Sequence, residues 1–229
     1  MRVLGVIPAR GGSKGIPGKN LAPVAGKPLM AWTCQAALES DLVTDVIITT
    51  DDARIAQAAR EHGVDEAITR PADLAADDTP MLPVLQHAVT EFESRRGPVD
   101  VVVLLQPTSP LRRGAHIDAA VRLLQESGAD SVVSVVEVPH HLNPASLMSL
   151  ESGRLSPYGG GTTAVRRQDK PVLYARNGPA ILVMRRQGLA ASESLYAGDC
   201  RAFIMTPEES VDVDTHWDLA LAAFALGQR

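Results

Sequence analysis

Short apolar runs alternate with helical patterns along the first two-thirds of this chain, and that rhythm constrains the fold more than any other feature. Val3–Ile7, Asp45–Thr50, Val99–Leu105 and Ser131–Val138 read as strands, with Val64–Ile68 as a shorter one. Between them, Pro28–Ser40, the stretch from Asp51 or Asp52 to about His62, Pro80–Arg95 and Gly114–Ser127 read as helices. Strand and helix in regular order require crossover connections, so the expected class is α/β with a mostly parallel sheet. The near-continuous apolar strands suit a sheet covered on both faces, and Val99–Leu105 is expected at its centre. Ligands of such sheets bind beyond the carboxyl ends of the strands, so the loops that follow strands are where function is expected.

The rhythm breaks at 139–175, which carries Pro139, Pro144, Pro157, the run Gly159-Gly160-Gly161, and Arg166-Arg167-Gln168-Asp169-Lys170-Pro171. An irregular stretch this long inside a domain usually serves function or an interface, and we read it as an arm or lid. Strands resume at Ala180–Met184 and Ala202–Met205, and a helix from about Thr215 closes the sequence. The expected organisation is a single domain over 1–229 with 139–175 inserted into it.

The formal net charge of -5 argues against nucleic acid or an anionic membrane as the main partner. No run approaches the roughly 18 apolar residues of a membrane span. The N-terminal apolar run is too short for a signal peptide, and two cysteines, Cys34 and Cys200, sit in apolar contexts. A cytoplasmic protein is expected. In an acidic chain, any cluster of cations is informative.

One such cluster follows the first strand: Ile7-Pro8-Ala9-Arg10-Gly11-Gly12-Ser13-Lys14-Gly15-Ile16-Pro17-Gly18-Lys19-Asn20. Glycines let backbone N–H groups approach an anion, and Arg10, Lys14 and Lys19 supply the charge that a triphosphate needs. Two familiar phosphate motifs are excluded. Walker A fails because Gly18-Lys19 is followed by Asn20 and preceded at the required spacing by Ser13. The dinucleotide fingerprint fails because Ser13 stands where its second glycine belongs.

This loop resembles the N-terminal signature of the acylneuraminate cytidylyltransferases, the CMP-sialic acid synthetase family. Further signatures follow in the family's order: Arg70-Pro71-Ala72-Asp73-Leu74-Ala75, Leu104-Leu105-Gln106-Pro107-Thr108-Ser109-Pro110-Leu111-Arg112, Asn177-Gly178, and Ser210-Val211-Asp212-Val213-Asp214 with Asp218. Kdo cytidylyltransferases share a similar opening but lack the Gln-Pro-Thr-Ser-Pro-Leu-Arg stretch. The resemblance implies a three-layer α/β nucleotidyltransferase (Rossmann-like) fold, with 139–175 as the arm of a homodimer. It implies attack of an acidic acceptor's oxygen on the α-phosphorus of CTP, with release of pyrophosphate. Arg10, Gly11, Gly12, Ser13, Lys14 and Lys19 would hold the triphosphate, with Asn20 towards its nucleoside end. Arg70 through about Thr79 would read cytosine. Arg10, Lys19, Asp212 and Asp214 would carry the chemistry.

Asp212 and Asp214 are two apart, so in an extended segment both face one side, as a Mg²⁺ site requires. A helix cap at Asp214 is the alternative reading. Gln106, Thr108, Ser109, Arg167, Gln168, Tyr174 and Asn177 would line the acceptor pocket, with Arg112 either joining them or binding structural carbonyls. His140-His141 has no further ligand at metal-site spacing and is read as arm packing or a subunit contact.

Sialate-using members commonly read Asn-Gly-Ala-Ile-Tyr, whereas this chain has Asn177-Gly178-Pro179-Ala180-Ile181-Leu182, without the aromatic. The expected acceptor is a nonulosonic (sialic-type) acid, with N-acetylneuraminate, legionaminate, pseudaminate and Kdn all open, and a smaller acid such as a phosphonate as an alternative. A sugar-1-phosphate nucleotidyltransferase and a non-catalytic nucleotide-binding protein are the remaining readings.

Overall fold

A computed structural model describes residues 1–13, 15–158, 166–191, 193–196 and 198–228. Strand β1 (Val3–Pro8) is buried along its whole length and sends Val3 and Ile7 to one side, Leu4 and Val6 to the other. It leads through a 3-10 turn at Lys19–Leu21 and a small hairpin, β2 (Pro23–Val24) and β3 (Lys27–Pro28), into α1 (Leu29–Leu38). Next come β4 (Asp45–Thr50), α2 (Ala53–Glu61), β5 (Glu66–Thr69), α3 (Met81–Arg96), β6 (Val101–Leu104), α4 (Gly114–Ser127) and β7 (Ser131–Glu137). Asp52 caps α2 by accepting the Arg54 N–H at 2.8 Å.

The 139–175 segment is less irregular than its sequence implies. A hairpin of β8 (Met148–Glu151) and β9 (Arg154–Pro157) forms within it, and β10 (Tyr174–Arg176) returns the chain to the main sheet. Its proline- and glycine-rich composition concealed these short pairings. The chain continues as β11 (Leu182–Arg185), α5 (Arg186–Ala191), β12 (Cys200–Met205) and α6 (His216–Gly227).

Among the described residues the main sheet has eight strands. β1 lies between β4 and β6, parallel to both, and β5 extends the β4 side. β11 pairs antiparallel with β6 and with β7, while β12 runs parallel to β7. β10 pairs with the end of β7 beyond the stretch that β11 covers, so β10 and β11 together make one broken strand. The break, Asn177–Ile181, is where the chain leaves and rejoins the ladder; the Ser134 N–H still donates to the Ile181 carbonyl at 2.8 Å.

Helices cover both faces. α1, α2 and α4 pack with Val3, Ile7, Val101, Val103 and Val183, whereas α3 and α5 pack with Leu4, Val6, Val102, Leu104 and Leu182. Burying each such side chain contributes roughly 1.5–3 kcal/mol. Exposed loop ion pairs contribute about 0–1 kcal/mol. The two interlayer cores therefore hold the site-bearing loops in place. Because the chain moves from β1 to β4 on one side and reaches β6 on the other, the sheet's order reverses at β1. The loops after β1 and β6 open into that crevice.

Candidate active site

The loop after β1 approaches the segment that precedes α6. The Lys19 ammonium donates to the Val213 carbonyl at 2.8 Å and to Asp214 Oδ1 at 2.9 Å. Gly15 makes this approach possible: a Cβ there would stand 2.5 Å from the Asp214 carbonyl oxygen, closer than any side chain tolerates. Across the same loop, Arg10 is ion-paired with Asp77, and the Gly11 N–H donates to Asp51 Oδ1 at 2.9 Å. Asn20 is buried, and its amide donates to the Arg10 carbonyl at 2.9 Å, bracing the loop from within. Arg70 is also buried. It donates to the Thr49 carbonyl at 2.9 Å and leaves its Nε without a partner among the described residues. Burial lowers the Arg70 pKa; Asp51 opposes that shift and Arg10 adds to it. A buried guanidinium with an unused donor near the partly buried Arg10 is suited to an anion.

Asp212 and Asp214 flank Val213, which points the opposite way into a core with Leu29, Leu111 and Ala222. The Val213 N–H donates to the Thr108 carbonyl at 2.8 Å, which ties this segment to the loop after β6. Asp214 is exposed; Asp212 is half-buried, and its Oδ1 is buried with no hydrogen-bond partner among the described residues. Burial raises the Asp212 pKa; the Thr108 hydroxyl, which bonds its carboxylate, acts against that, and the negative charge of Asp214 adds to it. An orphaned buried carboxylate oxygen two residues from a second carboxylate fits a hard divalent cation, which accepts one or two carboxylates and completes its shell with phosphate and water. Among the described residues no group of three or more His, Cys, Asp or Glu side chains gathers for a metal. The helix-cap alternative for Asp214 does not hold. Thr215 caps α6, and Asp218 completes a capping box by accepting from the Thr215 N–H at 2.8 Å.

The loop after β6 faces the break between β10 and β11. Gln106 donates through Nε2 to the Gly178 carbonyl at 2.9 Å. Gly178 has φ +116, a conformation that favours glycine, and a Cβ there would crowd Ser109 Oγ at 3.1 Å and come into contact with Asp212 Oδ2 at 3.5 Å. Arg112 is buried and donates to the Ala180 carbonyl at 2.6 Å, the Gln106 carbonyl at 3.2 Å and Thr33 Oγ1 at 2.5 Å. Of the two readings left open for Arg112, it follows the structural one. Burial pushes its pKa down to about 9, and the neighbouring Cys34 opposes that shift.

Residues 4–192 match the family model described as Cytidylyltransferase. The chain belongs to the cytidylyltransferase family. Among its relatives is the CMP-N,N'-diacetyllegionaminic acid synthase of Legionella pneumophila, 36% identical over 96% of this chain and 94% of that protein. The N-acylneuraminate cytidylyltransferase of Streptococcus agalactiae is 33% identical over 95% of this chain; the chain spans about half that relative's length, 52%. The solved structure of CMP:2-keto-3-deoxy-manno-octonic acid synthetase complexed with CTP aligns with a TM-score of 0.73 at 20% identity, covering 100% of this chain and 99% of that one. At that identity the likeness establishes the three-layer fold.

Within this cytidylyltransferase, the expected residues fall into two groups. Arg10, Gly11, Lys19, Arg70, Asp212 and Asp214 are linked through the contacts above, with Gln106 and Thr108 on the adjoining side. Ser109 and Asn177 turn inward: Ser109 is fully buried with its hydroxyl unpartnered among the described residues, and Asn177 is buried in protein contacts. Thr79 bonds the Asp73 carbonyl at 3.2 Å within its own loop. Tyr174 is exposed on β10 opposite Glu137, and Gln168 is exposed in a short 3-10 turn; among the described residues no hydrogen bond joins either to Gln106 or Asp212. Lys14 and the Arg167 side chain lie outside the described residues.

Sequence reasoning gave no site role to Asp51, Asp77 or Ser134, and quoted Ser210 only as the start of the signature that holds the aspartates. Asp51 had a readable signal, since it directly follows the carboxyl end of β4. The others act through long-range contacts that no local pattern encodes.

Proposed function

We propose that this enzyme transfers CMP from CTP to a nonulosonic acid, releasing pyrophosphate and forming a CMP-sugar. The observation that carries the reading is the meeting of the cation loop with the paired aspartates: Lys19 lies 2.9 Å from Asp214, and Asp212 keeps an unused carboxylate oxygen beside them. In this reading Arg10, Gly11, Gly12, Ser13, Lys14 and Lys19 bind the triphosphate and neutralise charge as pyrophosphate leaves. Arg70 and the segment to Thr79 hold the nucleoside, and Asn20 supports the loop. Asp212 and Asp214 hold Mg²⁺, which when bound polarises the α-phosphate and lowers the pKa of the attacking hydroxyl.

Gln106 and Thr108 orient the acceptor, with Arg167, Gln168 and Tyr174 closing over it from the arm. The named activity of the Legionella relative, which matches along nearly its whole length, supports a nonulosonic acceptor. The chain is read as one cytidylyltransferase domain with 139–175 as an inserted arm.

The reading extends to a homodimer. The arm and its return strand leave Leu150, Leu155, Tyr158 and Val172 more than 60% exposed, an apolar surface suited to a second copy. CTP is an intracellular co-substrate, and a cytoplasmic setting follows from using it; among the described residues no helix is long and apolar enough to cross a membrane.

Pyrophosphate release from CTP and Mg²⁺ is the direct test, run with N-acetylneuraminate, legionaminate, pseudaminate, Kdn and small phosphonates. Release that depends on one nine-carbon acid is the expected result. Release with only a smaller acid would replace the acceptor, and release with none would overturn the reading.

A further inference from the structure

Asn177 sits between the two sides of the site and has no hydrogen-bonding capacity left to offer. Its Oδ1 accepts from the Ser134 hydroxyl at 2.6 Å and from the Ala180 N–H at 3.3 Å. Its Nδ2 donates to Ser210 Oγ at 2.9 Å and to Met205 Sδ at 3.4 Å. A side-chain amide offers two donors and an acceptor oxygen with two lone pairs, so all four places are taken. The Ala180 N–H can only donate, which fixes the orientation of the amide. Ser134 is fully buried and closes its own account, accepting from the Ile181 N–H at 2.9 Å while donating to Asn177. Ser210 in turn donates to the Thr206 carbonyl at 2.7 Å.

These contacts make a continuous line from β7, through the break between β10 and β11, to the segment bearing the aspartates. Ser210 lies two residues before Asp212. The residue after Asn177, Gly178, presents its carbonyl to Gln106 and its Cα face to Asp212. One buried amide thus bears on the carboxylate from two directions, through Ser210 along the chain and through Gly178 across the gap.

From this geometry we infer that Asn177 is a positioning residue, and that the Ser134–Asn177–Ser210 line sets where the Asp212 carboxylate stands relative to the Gln106 side of the site. Groups that orient a metal's ligands typically carry a factor of about 10–100 in metal affinity or activity. Such a factor is what this line is expected to supply without touching the acceptor. The inference rests on the assignment of Asp212 to the metal, and the test separates the two.

Mn²⁺ serves as the probe, its affinity read by electron paramagnetic resonance in the presence of CTP, alongside kcat and the KM of the acceptor. Asp212→Asn should remove Mn²⁺ binding and establishes the metal assignment by itself. Ser210→Ala and Asn177→Ala should each weaken Mn²⁺ binding and lower kcat by about tenfold, with the acceptor KM unchanged. The double variant should be no worse than either single one, and Ser210→Thr, which keeps the hydroxyl, should restore both readouts.

Wild-type Mn²⁺ affinity and kcat in Ser210→Ala, together with a raised acceptor KM in Asn177→Ala, would overturn the inference and make Asn177 an acceptor ligand. Should the wild type bind Mn²⁺ no better than Asp212→Asn, the metal assignment fails separately, and the cycle in kcat decides: non-additive losses support the line and additive losses sink it. Ser210→Ala is the milder of the two changes. If Asn177→Ala melts too low to assay, Ser210→Ala and Ser210→Thr carry the decision alone.

Discussion

The side of this site proposed to bind phosphate and the side proposed to bind the acceptor are built in different ways. On the proposed phosphate side the cations and a backbone donor already have anionic partners: Arg10 is paired with Asp77, Lys19 with Asp214, and the Gly11 N–H donates to Asp51. In the proposed function these carboxylates hold the places that phosphate oxygens would take, on loops anchored to strands of the central sheet. The acceptor side is assembled from a break in a strand, an internal polar line through Asn177, and an arm whose apolar side chains are exposed. On the proposed assignment, nucleotide handling is built on loops of the central sheet, whereas acceptor choice depends on the inserted segment and the strand break it leads into.

This contrast can be broken experimentally, and the largest effect should come from the aspartates. Asp212→Asn is expected to lower kcat by roughly a thousandfold, the equivalent of several kcal/mol of lost charge stabilisation. It should also raise the melting temperature at neutral pH. Because burial and Asp214 hold the folded Asp212 pKa above its unfolded value, ionising it weakens the fold. That penalty is fully present above the folded pKa and disappears below the unfolded one, so the gain in melting temperature should close as pH falls through the ordinary carboxylate range. A variant that melts lower than wild type at neutral pH would contradict this.

Lys19→Ala and Arg10→Ala come next, each expected to reduce kcat/KM for CTP by roughly a hundredfold. Melting temperature and acceptor KM should stay near wild type. Wild-type turnover in either variant would remove its phosphate role.

On the other side, Gln168→Ala should raise the acceptor KM by about tenfold, in the range of one hydrogen bond to a charged group, while leaving the KM for CTP alone. A matching change in both constants would erase the distinction between the two sides.

Smallest is Asp77→Asn. Removing a half-exposed ion pair worth about 0–1 kcal/mol should lower the KM for CTP by up to about fivefold, since a competitor for Arg10 is gone. A raised KM would mean that Asp77 helps to bind the nucleotide rather than standing in for it.

Much of this was legible before any coordinates. The unbroken apolar run of Val101–Leu104, the cation loop after β1 and the Asp212/Asp214 spacing are local patterns, and local patterns survive in a linear string. The β8–β9 hairpin was not legible, because short strands among prolines and glycines carry little periodicity. Nor was the division of labour among the polar residues near the acceptor side. Arg112 looked as much like a ligand as like a brace until its three acceptors were seen, and Asn177 looked like a pocket residue until Ser134, Ala180 and Ser210 were found around it.

The amino-acid sequence by itself determined the α/β class, most of the sheet's strand-forming segments, the cation-rich loop and the paired carboxylates, since each depends on residues close together in the chain. Only the tertiary structure decided which polar side chains face the crevice and which are consumed in holding it. A hydrogen bond between residues 33 or more positions apart, as between Asn177 and Ser210, depends on how the sheet brings the two segments together, and no local spacing encodes that.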